Sequence, residues 1–197
     1  MDAFFIYVNM GINHVLDIKG YDHVLFLLAL ISPYAFKDWK RILFLVSIFT
    51  VGHTLALVLS VYNVVSVKAS LVEFLIPVTI LITALFALFT AGKTTKKESV
   101  TFVAGVTLFF GLIHGLGFSN YFKTIMIGTP SEKVLPLMEF ALGIEVAQLI
   151  VVMIGLILAY VAQAVFKFSK REWGLIIASF IIGAVVPMLI ENEIWYS

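Results

Sequence analysis

The side chains able to do chemistry in this chain are few and of one kind. It has four histidines, His14, His23, His53 and His114, and no cysteine. Disulfides and thiolate metal sites are therefore excluded. Imidazole and carboxylate together suit Zn²⁺, Ni²⁺, Cu²⁺ or Fe²⁺. The carboxylates set in or beside apolar sequence are Asp17, Asp22, Glu73, Glu139 and Glu145. Thr50 and Thr54 flank His53, and Gln148 follows Glu145 at i+3, so these residues, with Glu139, are candidates to orient a ligand or line a path.

The setting gives those residues their weight. Hydrophobic types make up 61% of the 197 residues and charged types 13%, where a soluble domain has about 45–50% and about 25%. A chain this small cannot hide so much apolar surface in its own core. Lipid must be its solvent, and an ionisable group inside a membrane span marks a site or a pathway by default. The formal net charge of +1 offers no basic field for nucleic acid.

A hydrocarbon core of about 30 Å needs roughly 20 apolar residues in helix. Six runs qualify: Tyr21 to Phe36, Ile42 to Tyr62, Leu71 to Ala91, Val100 to Phe118, Leu135 to Phe166 and Trp173 to Ile190. Turn signals at Ser32-Pro33, at Ala91 to Lys93 and at Gly128 to Pro130 separate several of them. Ahead of them, Asp2 to Ile18 carries Asn9, Asn13 and Asp17 on one helical stripe and Phe4, Phe5, Val8, Ile12 and Val15 on the opposite side. It starts without a basic region, which argues against a signal peptide. The expectation is an all-α integral membrane protein, a single membrane domain over 1–197. Residues 1–18 form an amphipathic or re-entrant helix at the outer face, and about six transmembrane helices fill 19–192.

Lys37, Lys40, Arg41, Lys93, Lys96, Lys97, Lys167, Lys170 and Arg171 fall in alternate connections, with only Lys19, Lys68, Lys123 and Lys133 on the other side. The positive-inside rule then puts both termini outside the plasma membrane, which is the inner membrane of a bacterium. With that orientation His14, Asp17, Asp22, His23, His53, His114 and Glu139 all fall in the outer half, and Glu145 lies deeper. A lone membrane histidine also serves as a hydrogen-bonded packing residue. Coincidence of depth across several helices favours a shared metal site. Gly111 and Gly115 have the small-xxx-small spacing that lets helices approach closely beside His114.

Four stretches then resemble the HupE/UreJ family of membrane proteins. They are Gly20-Tyr-Asp22-His23-Val-Leu-Phe-Leu, Phe49-Thr-Val-Gly-His53-Thr-Leu, Phe110-Gly-Leu-Ile-His114-Gly-Leu-Gly-Phe118 and Phe140-Ala-Leu-Gly-Ile-Glu145-Val-Ala-Gln148. The likeness covers Gly11 to about Gln148. It implies a nickel permease or accessory metal transporter, with His14, Asp22, His23, His53, His114 and Glu145 lining the metal site and its access path. The interval from His14 to Asp22-His23 is longer than in many relatives and contains Asp17 and Lys19.

The leading expectation is thus transport of a divalent ion, Ni²⁺ or Zn²⁺, through a lipid-embedded bundle, and a homo-oligomer is compatible with it. Apart from Glu145, Gln148 and residues such as Ser47, Thr83 and Thr107, few polar groups serve the inner half. That asymmetry supports an alternative, a membrane-embedded zinc hydrolase with Asp17, Asp22 or Glu145 handling protons. No His-Glu-x-x-His signature accompanies it. A metal sensor or chaperone is the third class.

Overall fold

The computed structural model describes residues 3–92, 100–125, 128–129 and 131–196. Lys93, Lys96, Lys97 and Pro130, used above for orientation and punctuation, and Asp2 lie outside them. The described residues form helices α1 (Ala3–Leu16), α2 (Asp22–Ile31), α3 (Trp39–Val61), α4 (Ala69–Thr90), α5 (Val100–Ile125), α6 (Val134–Ala164) and α7 (Lys170–Ile190), with short 3₁₀ turns at Phe36–Asp38, Ser131–Lys133 and Glu193–Trp195. Among the described residues there is no strand. Five helical stretches are long and apolar enough to cross a membrane: Phe36–Val61, Ala69–Thr90, Val100–Ile125, Ser131–Ala164 and Lys170–Trp195.

The first run expected to span is shorter than its sequence suggests. α2 has 10 residues, about 15 Å of helix against a core of about 30 Å. Pro33 has no N–H to continue the ladder. The Ser32 N–H closes on the Leu28 carbonyl at 3.1 Å, and the Ser32 hydroxyl donates to the Ala29 carbonyl at 3.0 Å. The other end of the size range is α6, whose 31 residues extend about 46 Å.

Glycines decide which helices touch most closely. A Cβ on Gly52 would run into the Leu108 carbonyl oxygen, one on Gly111 into that of Phe49, and one on Gly115 into that of His53. α3 and α5 therefore lie backbone to backbone, as the spacing of Gly111 and Gly115 implies. The same device joins α1 to α6, where Gly11 meets the Phe140 carbonyl and Gly143 meets that of Val8. Asn9, Asn13 and Asp17 stay exposed. Phe4 and Phe5 are exposed as well, whereas Val15 on their side is fully buried.

α4 packs on α2, α5 and α7. Pro77 within it cannot donate to Glu73, and Asn192 Nδ2 donates to that freed carbonyl at 3.2 Å. α7 starts with a capping box: Ser169 Oγ accepts the Glu172 N–H at 3.1 Å, and Glu172 Oε2 accepts the Ser169 N–H at 2.7 Å.

Candidate metal centre

The glycine contacts bring the histidine-bearing helices into register. Gly115 sits on the carbonyl of His53 itself, so the residue after His114 touches the backbone of the other histidine. His14 lies in the last turn of α1 and His23 in the first turn of α2, and the corner between them is held by Asp17 Oδ1, which accepts the Lys19 N–H at 2.9 Å. The ring centroids of His14 and His23 are 4.6 Å apart; each lies 5.5 Å from His53, and His23 lies 5.2 Å from His114. His23 is the hub. His14, His23 and His53 can each offer one ligand atom within 4.8 Å of the others, and Asp22, His23 and His114 do the same.

The hydrogen bonds determine which nitrogens face inward. His23 Nδ1 lies 3.1 Å from Asp22 Oδ1, and a carboxylate can only accept, so Nδ1–H donates and Nε2 keeps its lone pair. The Thr79 hydroxyl donates to the Ile76 carbonyl at 2.7 Å. Its oxygen is left to accept from His114 Nε2 at 3.1 Å, and His114 Nδ1 keeps its lone pair. Carboxylate or hydroxyl behind an imidazole is the arrangement that orients metal-ligating histidines.

Several ring nitrogens of the cluster, donors and acceptors together, have no hydrogen-bond partner among the described residues. Among the described residues, His14 Nε2, His23 Nε2, both ring nitrogens of His53 and His114 Nδ1 are buried without a hydrogen bond. Each such atom costs about 1–3 kcal/mol when left unsatisfied. His23, His53 and His114 are at most 1% exposed, so bulk water does not relieve them. A cation could relieve the acceptor nitrogen of each ring, since these are groups that could hold a metal ion. Phenylalanines close the surroundings: Phe118 lies 4.1 Å from His14, Phe49 lies 5.2 Å and Phe26 5.3 Å from His114, and Phe140 stacks on Phe118 at 5.2 Å. An apolar wall lowers the local dielectric and strengthens whatever charge interaction forms inside.

The remaining candidates lie elsewhere. Asp17 is exposed, and Glu139 is buried outside both convergent groups. Thr54 Oγ1 is buried without a hydrogen-bond partner among the described residues. Glu145 accepts from Ser47 at 2.6 Å and contacts Thr50, which also donates to Gln148 Oε1 at 2.9 Å. An open depression of about 730 Å³ with Asn9, Asn13 and Asp17 on its rim reaches His14. Sequence reasoning misses Thr79, a lone hydroxyl in an apolar span, and treats the phenylalanines as ordinary packing; the only signal for them is the Phe inside or beside each motif.

Helices long enough to cross a bilayer, closed around a sulfur-free pocket of imidazole and carboxylate, define an integral membrane protein with an internal site of metal-ligand type. The chain belongs to the HupE/UreJ family: the family model described as HupE / UreJ protein matches residues 1–192, essentially the whole chain. Membership implies a role in nickel or cobalt transport or in accessory metal handling. Comparison with curated proteins and with solved structures returns no match.

Proposed function

We propose that the protein is a permease for a divalent first-row metal ion, Ni²⁺ foremost, that it sits in the plasma membrane with both termini outside, and that His14, His23, His53 and His114 capture the ion. The observation that carries this reading is the convergence, from four helices, of five imidazole nitrogens without a hydrogen-bond partner among the described residues. The open depression beside His14 supplies the approach from solvent. Asp22 balances part of the cation's charge through His23. Because that carboxylate is engaged by His23, the arrangement suits holding an ion better than activating water for hydrolysis.

Imidazole accepts both Ni²⁺ and Zn²⁺, so the cargo is read by competition. Protein in liposomes is expected to take up Ni²⁺, with Zn²⁺ as the first competitor to try, and His53→Ala and His114→Ala are expected to abolish uptake at normal expression. Wild-type uptake in both variants would reject the proposal.

A further inference from the structure

We infer that Ser47, Thr50, Glu145 and Gln148 form a second, all-oxygen cation station through which the metal leaves the histidine cluster; this rests on the permease reading above. Ser47 and Thr50 are i, i+3 neighbours on α3, as are Thr50 and His53, so the three step down about 9 Å from the cluster toward the end that carries Lys40 and Arg41. Glu145 and Gln148 stand at i and i+3 on α6 and meet that face from the other side.

The group has more acceptors than protons. The Thr50 hydroxyl has one proton, and three oxygens surround it: the Val46 carbonyl at 3.3 Å, Gln148 Oε1 at 2.9 Å and Glu145 Oε2. Ser47 Oγ donates to Glu145 Oε1 at 2.6 Å. Gln148 is wholly buried and its Nε2 has no hydrogen-bond partner among the described residues. A polar cross-link between α3 and α6 made for packing would pair its donors with its acceptors. Here the Glu145 carboxylate brings about four lone-pair directions against one proton each from Ser47 and Thr50, and a cation answers that surplus.

The chemistry of the two stations differs in the useful direction. Imidazole suits Ni²⁺ and Zn²⁺, whereas carboxylate, hydroxyl and amide oxygens are harder donors that favour them less. Passage through successive sites requires that each bind well enough to receive the ion and weakly enough to release it. An oxygen station beyond the histidines lets the ion step from a tighter site to a looser one, and it lies where the sequence otherwise offers few polar groups.

The test separates holding from passing. Glu145→Gln keeps size and removes the charge, and Thr50→Val keeps shape and removes the hydroxyl; both are compared with wild type for equilibrium Ni²⁺ binding in detergent and for Ni²⁺ uptake into proteoliposomes. The expected result is binding within about twofold of wild type and uptake slowed about tenfold or more, the scale on which groups beyond the first ligands act. Uptake at the wild-type rate in both variants, with His53→Ala inactive, would overturn the station and leave the permease standing. Loss of binding in a monodisperse, helical Glu145→Gln protein would place Glu145 in the capture site and also overturn it. A wild type that binds Ni²⁺ and moves none would overturn both readings. If Glu145→Gln fails to fold, Thr50→Val decides by the same criteria.

Discussion

The histidine cluster and the apolar cleft at the far end of α2 share one side chain, Phe26, and little else. The cluster is dense: rings 4.1 to 5.5 Å apart and helix backbones pressed together at Gly111 and Gly115, yet five ring nitrogens have no hydrogen-bond partner among the described residues. The cleft is a cavity of about 240 Å³ between α2, α4 and α5, lined by Ala29, Pro33, Ile82, Phe86, Val103 and their neighbours. Phe26 and Phe110 line it too, and Phe26 also touches His114. Lipid tails or loose side chains can fill an apolar gap of any outline. Convergent polar atoms require a set geometry, and the helix contacts at Gly111 and Gly115 supply it beside His53 and His114.

On the permease reading the cluster trades stability for binding, and the largest effect is expected from removing its least satisfied side chain. His53 is fully buried, and neither ring nitrogen has a hydrogen-bond partner among the described residues. His53→Leu is expected to lower Ni²⁺ affinity more than about 100-fold while making the metal-free protein more stable by about 1 kcal/mol or more, since an apolar group of similar volume replaces unsatisfied polar atoms. Thermal melts in detergent, with and without Ni²⁺, check both signs. A destabilised metal-free variant would mean that His53 is a packing residue.

Gly115→Ala comes next. Its Cβ would strike the His53 carbonyl oxygen and approach the Ala56 side chain to 2.9 Å, so α3 and α5 must separate where two candidate ligands meet. We expect about a 30-fold loss of Ni²⁺ affinity together with about 1–3 kcal/mol of stability, as for other overpacking changes. Gly105 on the same helix is the control, because a Cβ added there would meet nothing within 4 Å: Gly105→Ala is expected to leave binding unaltered. Equal losses in the two variants would show that helix α5 tolerates no Cβ anywhere and that the glycine contact is not special to the site.

Much of this is legible in the chain itself. Span order and the position of each histidine within its span are enough to bring His14, His23, His53 and His114 to one region, because helix rise converts sequence offset into depth. The Gly111 and Gly115 spacing likewise announces a close helix contact. Depth does not report azimuth, however. Offset along the span puts Glu145 deeper than the histidines, but it does not say that Glu145 and Gln148 turn toward Ser47 and Thr50 on α3. Nor does an apolar run report its own length in helix: Tyr21 to Phe36 reads as one span, and Pro33 ends it at Ile31. Thr79 is invisible in the sequence because one threonine in an apolar helix has no spacing to distinguish it, and its role exists only through His114 on another helix.

Thr79 therefore supplies a finer test of the dense region. If it holds His114 with Nδ1 inward, Thr79→Val preserves shape and removes the acceptor for His114 Nε2–H. The expected loss is about tenfold in Ni²⁺ affinity, at the lower end for groups that orient a ligand, and Thr79→Ser should restore most of it. Isothermal titration of the three proteins reads the difference. If serine and valine bind alike, the hydroxyl is structural and the tautomer of His114 is set by something else.

The smallest expected effect lies in the cleft, and it is the one that tests whether the two regions are independent. Val103 lines the cavity and is only partly buried, so Val103→Leu adds one methylene into space already present. Burial of that group is worth up to about 0.8 kcal/mol, and the small shift in melting temperature should be upward. Ni²⁺ affinity should stay within about twofold, well under the roughly 10- to 100-fold that displacing a ligand-orienting group produces. The shared wall makes this a demanding expectation, because Phe26 stands 5.3 Å from His114 and 4.6 Å from Phe49 while its other side faces the cleft. If filling the cavity pushes Phe26, the push reaches His114 directly. A tenfold change in affinity from Val103→Leu would therefore show that the cleft and the cluster form one mechanical unit, with the empty volume serving as room for Phe26 to move when the histidines close on an ion.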